Sequence, residues 1–155
     1  MTPAVVAAKR AGITCRVLEY RHDPESKSFG LEAAEALGVE AHKVFKTLVA
    51  SLASGELVVA VIPVVNQLDL KALAAAVASK KATMADPQVA ERATGYMVGG
   101  ISPIGQRRRL ATVVDESALT HEEIYVSAGR RGLEIALDPR DLVTLTDASL
   151  ESIAR

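Results

Sequence analysis

The sequence predicts a mixed α/β fold of the α+β kind, with residues 1–155 forming one domain. Three observations predict it. Short runs rich in Val, Leu and Ile, bounded by turn residues, read as strands. Thr2-Pro3, Asp86-Pro87 and Asp138-Pro139 repeat one helix-start signature. A side-chain oxygen caps the helix, and proline takes the first helical position, where no N–H is needed. The strands and helices do not alternate strictly, which argues against a parallel sheet wound from βαβ units.

The elements follow in chain order. Thr2-Pro3 opens a helix that Gly12 stops. Cys15 to Tyr20 reads as a strand, and a polar loop from His22 to Ser28 follows. Leu31, Ala34 and Leu37 have helical spacing, closed by Gly38. Phe45 to Ala53 and Glu56 to Val65 form a predicted β-hairpin across Ser54-Gly55, buried enough that alternation is lost. Leu68-Asp69-Leu70 leads into an alanine-rich helix near Lys71 to Ser79, and the helix begun at Asp86-Pro87 closes at Gly95. Ala111 to Val114, Ile124 to Ser127 and Gly132 to Leu137 are further strands. Asp138-Pro139 starts the last helix, and the rest reads as a polar tail.

Composition narrows the function classes. A chain of 155 residues that is 49% apolar and 24% charged can bury a real core without long disordered stretches. Aromatic residues make up 3%, with no Trp, which excludes a platform of stacked rings for single-stranded nucleic acid. A net charge of −1 gives no global nucleic-acid footprint, so any RNA contact needs a local basic patch. The single Cys15 excludes an internal disulfide and suits a reduced, cytoplasmic setting. No long apolar run opens the chain, so neither a signal peptide nor a membrane span is expected.

The strongest punctuation is Gly99-Gly100-Ile101-Ser102-Pro103-Ile104-Gly105. Three glycines and a proline in seven residues exclude a regular element. Such a loop is either a tight structural turn or a cradle whose successive N–H groups hold an oxyanion or carboxylate. Its spacing matches neither a Walker loop nor G-x-G-x-x-G. Lys46, flanked by Phe45 and Thr47, is either an edge charge in water or a functional cation in a cleft. His22, His42 and His121 are scattered, so no metal or cofactor is expected. Ser102 lies outside any G-x-S-x-G pattern, and Cys15 on a short strand suits packing better than catalysis. Arg107-Arg108-Arg109 and Arg130-Arg131 are solvated surface or phosphate grips, and the first follows the glycine loop directly.

Several phrases together resemble one family: Tyr20, Phe29-Gly30, Phe45-Lys46-Thr47-Leu48, Thr94 through Gly105, and Tyr125 through Leu133. They resemble the YbaK/EbsC family, relatives of the editing domain inserted in bacterial prolyl-tRNA synthetase, and among its members the Cys-tRNA(Pro) deacylases. The resemblance implies a mixed β-barrel-like sheet flanked by helices. It implies hydrolysis of the ester joining a misattached amino acid to the tRNA 3′ end, in aid of translation fidelity. The family lysine maps to Lys46, and the family loop to Gly99, Gly100, Ile101, Ser102 and Pro103. Tyr20, Phe29, Thr47, Ser127 and Glu134 carry over as substrate-binding positions. N–H groups of Gly100 and its neighbours are expected to stabilise the developing oxyanion. The substrate's own cysteine thiol is the implied nucleophile. It would release the amino acid as a thiolactone, a lyase-like step within an overall hydrolysis. The partners implied are aminoacyl-tRNA at its 3′ end and prolyl-tRNA synthetase in a ternary complex. The alternatives are editing of Ala or Ser on tRNA, a non-catalytic domain that binds tRNA ends, and a nucleotide-binding module, the last lacking any phosphate-loop pattern.

Overall fold

In the computed structural model, which describes residues 1–155, five α-helices and eight strands interleave irregularly. The strands are β1 (Cys15–Glu19), β2 (Phe45–Leu52), β3 (Leu57–Pro63), β4 (Ala82–Met84), β5 (Ala111–Asp115), β6 (Ile124–Arg130), β7 (Leu133–Leu137) and β8 (Ser149–Glu151). The helices are α1 (Pro3–Arg10), α2 (Phe29–Leu37), α3 (Leu70–Ala76), α4 (Pro87–Thr94) and α5 (Pro139–Thr146). The capping expectations hold in detail. Thr2 accepts from Val5 N, Asp86 from Gln88 N and Asp138 from Arg140 N, each just ahead of its proline. Gly38 and Gly95 close α2 and α4 in the left-handed conformation.

The strands form two open sheets. One is three-stranded and antiparallel, in the order β1-β7-β6. The other is five-stranded and mixed, in the order β4-β2-β3-β5-β8, with β3–β5 and β5–β8 parallel. The expected hairpin is present as β2–β3, running from Phe45 opposite Pro63 to Ser51 opposite Leu57. The expected α+β class holds, but the barrel-like closure does not. A single parallel bridge, Val44 to Tyr125, joins the sheets, and a bulge after Ser127 ends regular pairing along β6.

The largest apolar cluster lies between the sheets, where Phe45, Val59 and Val61 meet Val126, Ile135 and Leu137. A second fills the other face of the larger sheet beneath α3, around Ile62 and Leu73. A third packs α2 against the seam through Ala33, Ala34, Val44, Val64 and Tyr125. Gly30 makes this packing possible, because a Cβ there would lie 2.1 Å from Val64 Cγ1.

The tail after α5 is not a loose polar extension. Residues 149–151 add the strand β8 beside β5, and Ile153 is fully buried. Asp115 Oδ1 accepts from the N–H groups of Ile153 and Ala154 at 2.9 and 3.0 Å. The long-range partner, not a local pattern, makes this strand. β4 forms the same way against β2.

Candidate active site

Lys46 sits at the start of β2, opposite Ile62 of β3. Pleating puts it on the same side as Val44, which bridges to Tyr125. Continuing that parallel alignment by two residues brings Lys46 alongside Ser127. Ser127 in turn stands opposite Glu134 of β7, and Glu134 opposite Leu18 of β1. Residues directly opposite share a face. Lys46, Ser127 and Glu134 therefore cross the seam between the sheets in one row, with Tyr20 just past the end of β1.

The glycine loop is fastened over this row. Ser127 Oγ donates to Gly100 O at 3.0 Å and accepts from Gly129 N at 3.1 Å. Glu91 of α4 accepts from Val98 N at 2.8 Å, and Tyr96 OH donates to Ile104 O at 2.7 Å. Burial pushes the Tyr96 phenol up to about 12, so it stays a neutral donor. Phe29 lies against Gly99, whose φ is +96° and whose Cβ, if present, would stand 2.9 Å from Phe29 Cε2. The Phe29 ring also carries the Arg131 guanidinium, 4.1 Å from its centroid.

Ile101, Ser102 and Pro103 turn their side chains inward and are buried. Ser102 Oγ accepts from Ile104 N at 3.2 Å, a local turn contact that fits its exclusion as a nucleophile. The loop's own side chains are thus taken up by packing, which leaves its backbone groups as the chemically available ones. One expectation is corrected here. Gly100 N does not point at a ligand, because it donates to Met97 O at 2.9 Å to close a turn. The N–H groups of Gly99, Ile101 and Ser102 find no acceptor within the protein. They are the donors left for an anion.

Two ionisable groups in the row stand without a counter-ion. Burial alone holds the Lys46 ammonium below the usual lysine range, and no carboxylate pairs with it. Burial alone pushes the Glu134 carboxyl up to about 8, with only 6% of the residue exposed. The Tyr20 phenol is raised first by burial and then by Glu134 and Glu32 nearby. Thr47 alternates to the opposite side of β2 from Lys46, and its Oγ1 is buried without a partner.

The second basic cluster is structural. Arg131 donates to Asp23 O at 2.9 Å, Ser26 O at 3.2 Å and Glu32 Oε1 at 3.5 Å, while Arg130 pairs with Glu19 at 2.9 Å. A basic dipeptide in sequence does not reveal that its partners lie about a hundred residues upstream. Sequence reasoning also passed over Tyr96 and Glu91 as braces of the loop, although Tyr96 falls within the Thr94–Gly105 phrase. Nowhere do three His, Cys, Asp or Glu side chains converge to hold a metal ion. No helix is long and apolar enough to cross a membrane. Two surface depressions, of about 390 and 690 Å³, lie away from the row, one bordered by Ser51, Asp86 and Arg108, the other by His42, Asn66 and His121.

Comparison with known proteins places this arrangement. A candidate Cys-tRNA(Pro)/Cys-tRNA(Cys) deacylase, EbsC of Enterococcus faecalis (strain ATCC 700802 / V583), is 43% identical over 120 residues, which is 77% of this chain and 73% of that protein. The crystal structure of a candidate trans-editing enzyme for prolyl-tRNA synthetase superposes with a TM-score of 0.87 at 26% identity, over 99% of this chain and 95% of the other. The hypothetical protein APE2540 superposes with a TM-score of 0.88 at 26% identity, over 99% and 100% of the two chains. The model of the aminoacyl-tRNA editing domain family matches residues 23–145, and the chain belongs to that family.

Proposed function

We propose that this protein is a trans-editing deacylase that hydrolyses misacylated Cys-tRNA(Pro), with residues 1–155 acting as one editing unit in the cytoplasm. The observation that carries the reading is an uncompensated, half-buried Lys46 in the row over which Ser127 fastens the glycine loop, whose Gly99, Ile101 and Ser102 N–H groups have no partner. Ester cleavage builds negative charge on the carbonyl oxygen, and fixed N–H donors in a partly desolvated site stabilise it without reorganising. Lys46 supplies the cation for the 3′-terminal phosphate or ribose. Tyr20 and Phe29 wall the pocket and Ser127 positions the loop through Gly100 O, while Thr47, expected to bind substrate, keeps its buried hydroxyl on the opposite side of β2 and takes no part.

The chain presents no Ser–His or Cys–His pair at the loop, which suits attack by the substrate's own thiol. The sulfur bonds to the carbonyl carbon and the bond from that carbon to the ribose oxygen breaks. The thiol proton ends on the ribose hydroxyl, and the cysteinyl thiolactone then opens with water. Glu134, pushed up to about 8 by burial and set in the same row as Lys46 and Ser127, handles the proton in this transfer. Prolyl-tRNA synthetase as a partner agrees with the near-neutral charge of the chain, which leaves little for selecting tRNA(Pro) unaided.

Deacylation of Cys-, S-methyl-Cys-, Ala-, Ser- and Pro-tRNA(Pro), and of Cys-tRNA(Cys), tests the reading. Rapid release from Cys-tRNA with none from the S-methyl form is expected. Equal rates for Cys, S-methyl-Cys and Ser would replace thiol attack by activated water, and release of none would leave a domain that only binds tRNA ends.

A further inference from the structure

A protein of net charge −1 that takes a tRNA end must concentrate its positive charge locally. Several basic side chains are already spent inside the molecule: Arg16, Arg130, Arg131, Arg140 and Lys43 all pair with carboxylates. Arg107, Arg108 and Arg109 are exposed and form no ion pair, and neither does Arg92, exposed in the last turn of α4. The fold gathers these four at one place. Arg107 N donates to Thr94 O and Arg108 N to Ala93 O, which lays the arginine run across the C-terminal end of α4. The Arg107 side chain lies against Gly95, its Cβ 3.4 Å from where a Gly95 Cβ would stand.

The same run is tied to the glycine loop. Gln106 Nε2 donates to Ser102 O at 2.9 Å, so the first arginine follows directly on a residue that grips the proposed oxyanion loop. Nearby carboxylates form no ion pair with these arginines. Glu91 of α4, and Asp86 and Glu56, which border the same groove as Arg108, come within ion-pair distance of none of them. One cation suffices to complement the negative end of a helix. Four guanidiniums, whose planar forks match phosphate oxygens, exceed that need.

We propose that Arg92, Arg107, Arg108 and Arg109 form the surface that grips the phosphodiester backbone of tRNA next to its 3′ end. The assignment rests on the deacylase reading above and adds the face along which RNA reaches the site. These contacts are to phosphates and set position without reading sequence.

The test combines Arg107→Gln, Arg108→Gln and Arg109→Gln in one full-length variant. Its binding to uncharged tRNA is measured by fluorescence anisotropy across 50–300 mM KCl. The plot of log affinity against log salt is expected to flatten by about 2 if the phosphates are single-stranded and nearly 3 if they are duplex. On charged tRNA, KM is expected to rise about tenfold or more at 100 mM salt while kcat is held. A Lys9→Gln, Arg10→Gln variant, changed at the far end of α1, should keep the wild-type slope and KM. A triple variant with the wild-type salt slope overturns the proposal, as does a lowered kcat at unchanged KM. The binding arm uses uncharged tRNA, so absence of turnover by the wild-type protein counts against the deacylase reading alone.

Discussion

Glu134→Gln should stabilise this protein at neutral pH, and the size of the effect follows from burial. The carboxyl is nearly enclosed, has no counter-ion, and is pushed from 4.5 up to about 8. The folded state therefore holds a proton that the unfolded chain releases from about pH 4.5 upward. Wherever the native state binds more protons, stability falls as pH rises. The penalty is absent below pH 4.5, grows through neutrality, and levels off above about 8. At pH 7 the 2.5 pH units above 4.5, at 1.36 kcal/mol each, give about 3 kcal/mol. In a chain of this length that is roughly 6–12 °C in Tm. Glutamine keeps the shape and removes the ionisation. Urea melts of both proteins from pH 5 to 9 should show wild-type stability falling with pH and a flatter variant, the two converging near pH 5. Parallel curves would refute the argument, because they would mean that the carboxylate is solvated or paired in the folded protein.

Three further outcomes are expected. Lys46→Ala should lower deacylation of Cys-tRNA(Pro) about a hundredfold while the melt stays within about 1 kcal/mol of wild type, because a desolvated cation without an ion pair contributes little to folding; near-normal turnover would remove it from the site. Gly100→Ala should cost about 1–3 kcal/mol in a denaturant melt, because its Cβ would lie 2.8 Å from Arg130 Cα and 3.0 Å from Arg131 N, both backbone atoms; unchanged stability would mean that the loop and the β6 bulge separate easily. Asp115→Ala should strip the acceptor from the N–H groups of Ile153 and Ala154, lowering stability by about 3 kcal/mol, and hydrogen exchange at those two amides should quicken before that of β3.

Much of this architecture is legible locally. The three cap-and-proline pairs and the closing glycines Gly38 and Gly95 specify helix ends within a few residues, because capping is satisfied by neighbours in sequence. The β2–β3 hairpin is equally readable from two apolar runs across Ser54-Gly55. The short strands β4 and β8 are not, since three residues carry no period and each exists only through a remote partner. At the site, sequence and resemblance select Lys46, the loop and Ser127, and the seam between the sheets brings them into one row. They do not reveal which N–H groups are free. Gly100 draws the eye as the central glycine, yet its need for glycine comes from the Arg130 backbone beneath it, and its amide is consumed by Met97. The fate of Arg130 and Arg131 was equally hidden, because the partners that neutralise them belong to β1, the 23–26 loop and α2.

Arg131 ties together parts of the molecule that the chain keeps apart. One guanidinium holds the carbonyls of Asp23 and Ser26, the carboxylate of Glu32 and the face of Phe29, and Phe29 rests on Gly99. The 23–32 segment and the glycine loop thus share one fastening. Replacing Arg131 by Gln would therefore loosen the 23–26 loop and the Phe29 wall together, which protease nicking and hydrogen exchange of both stretches would read as one change.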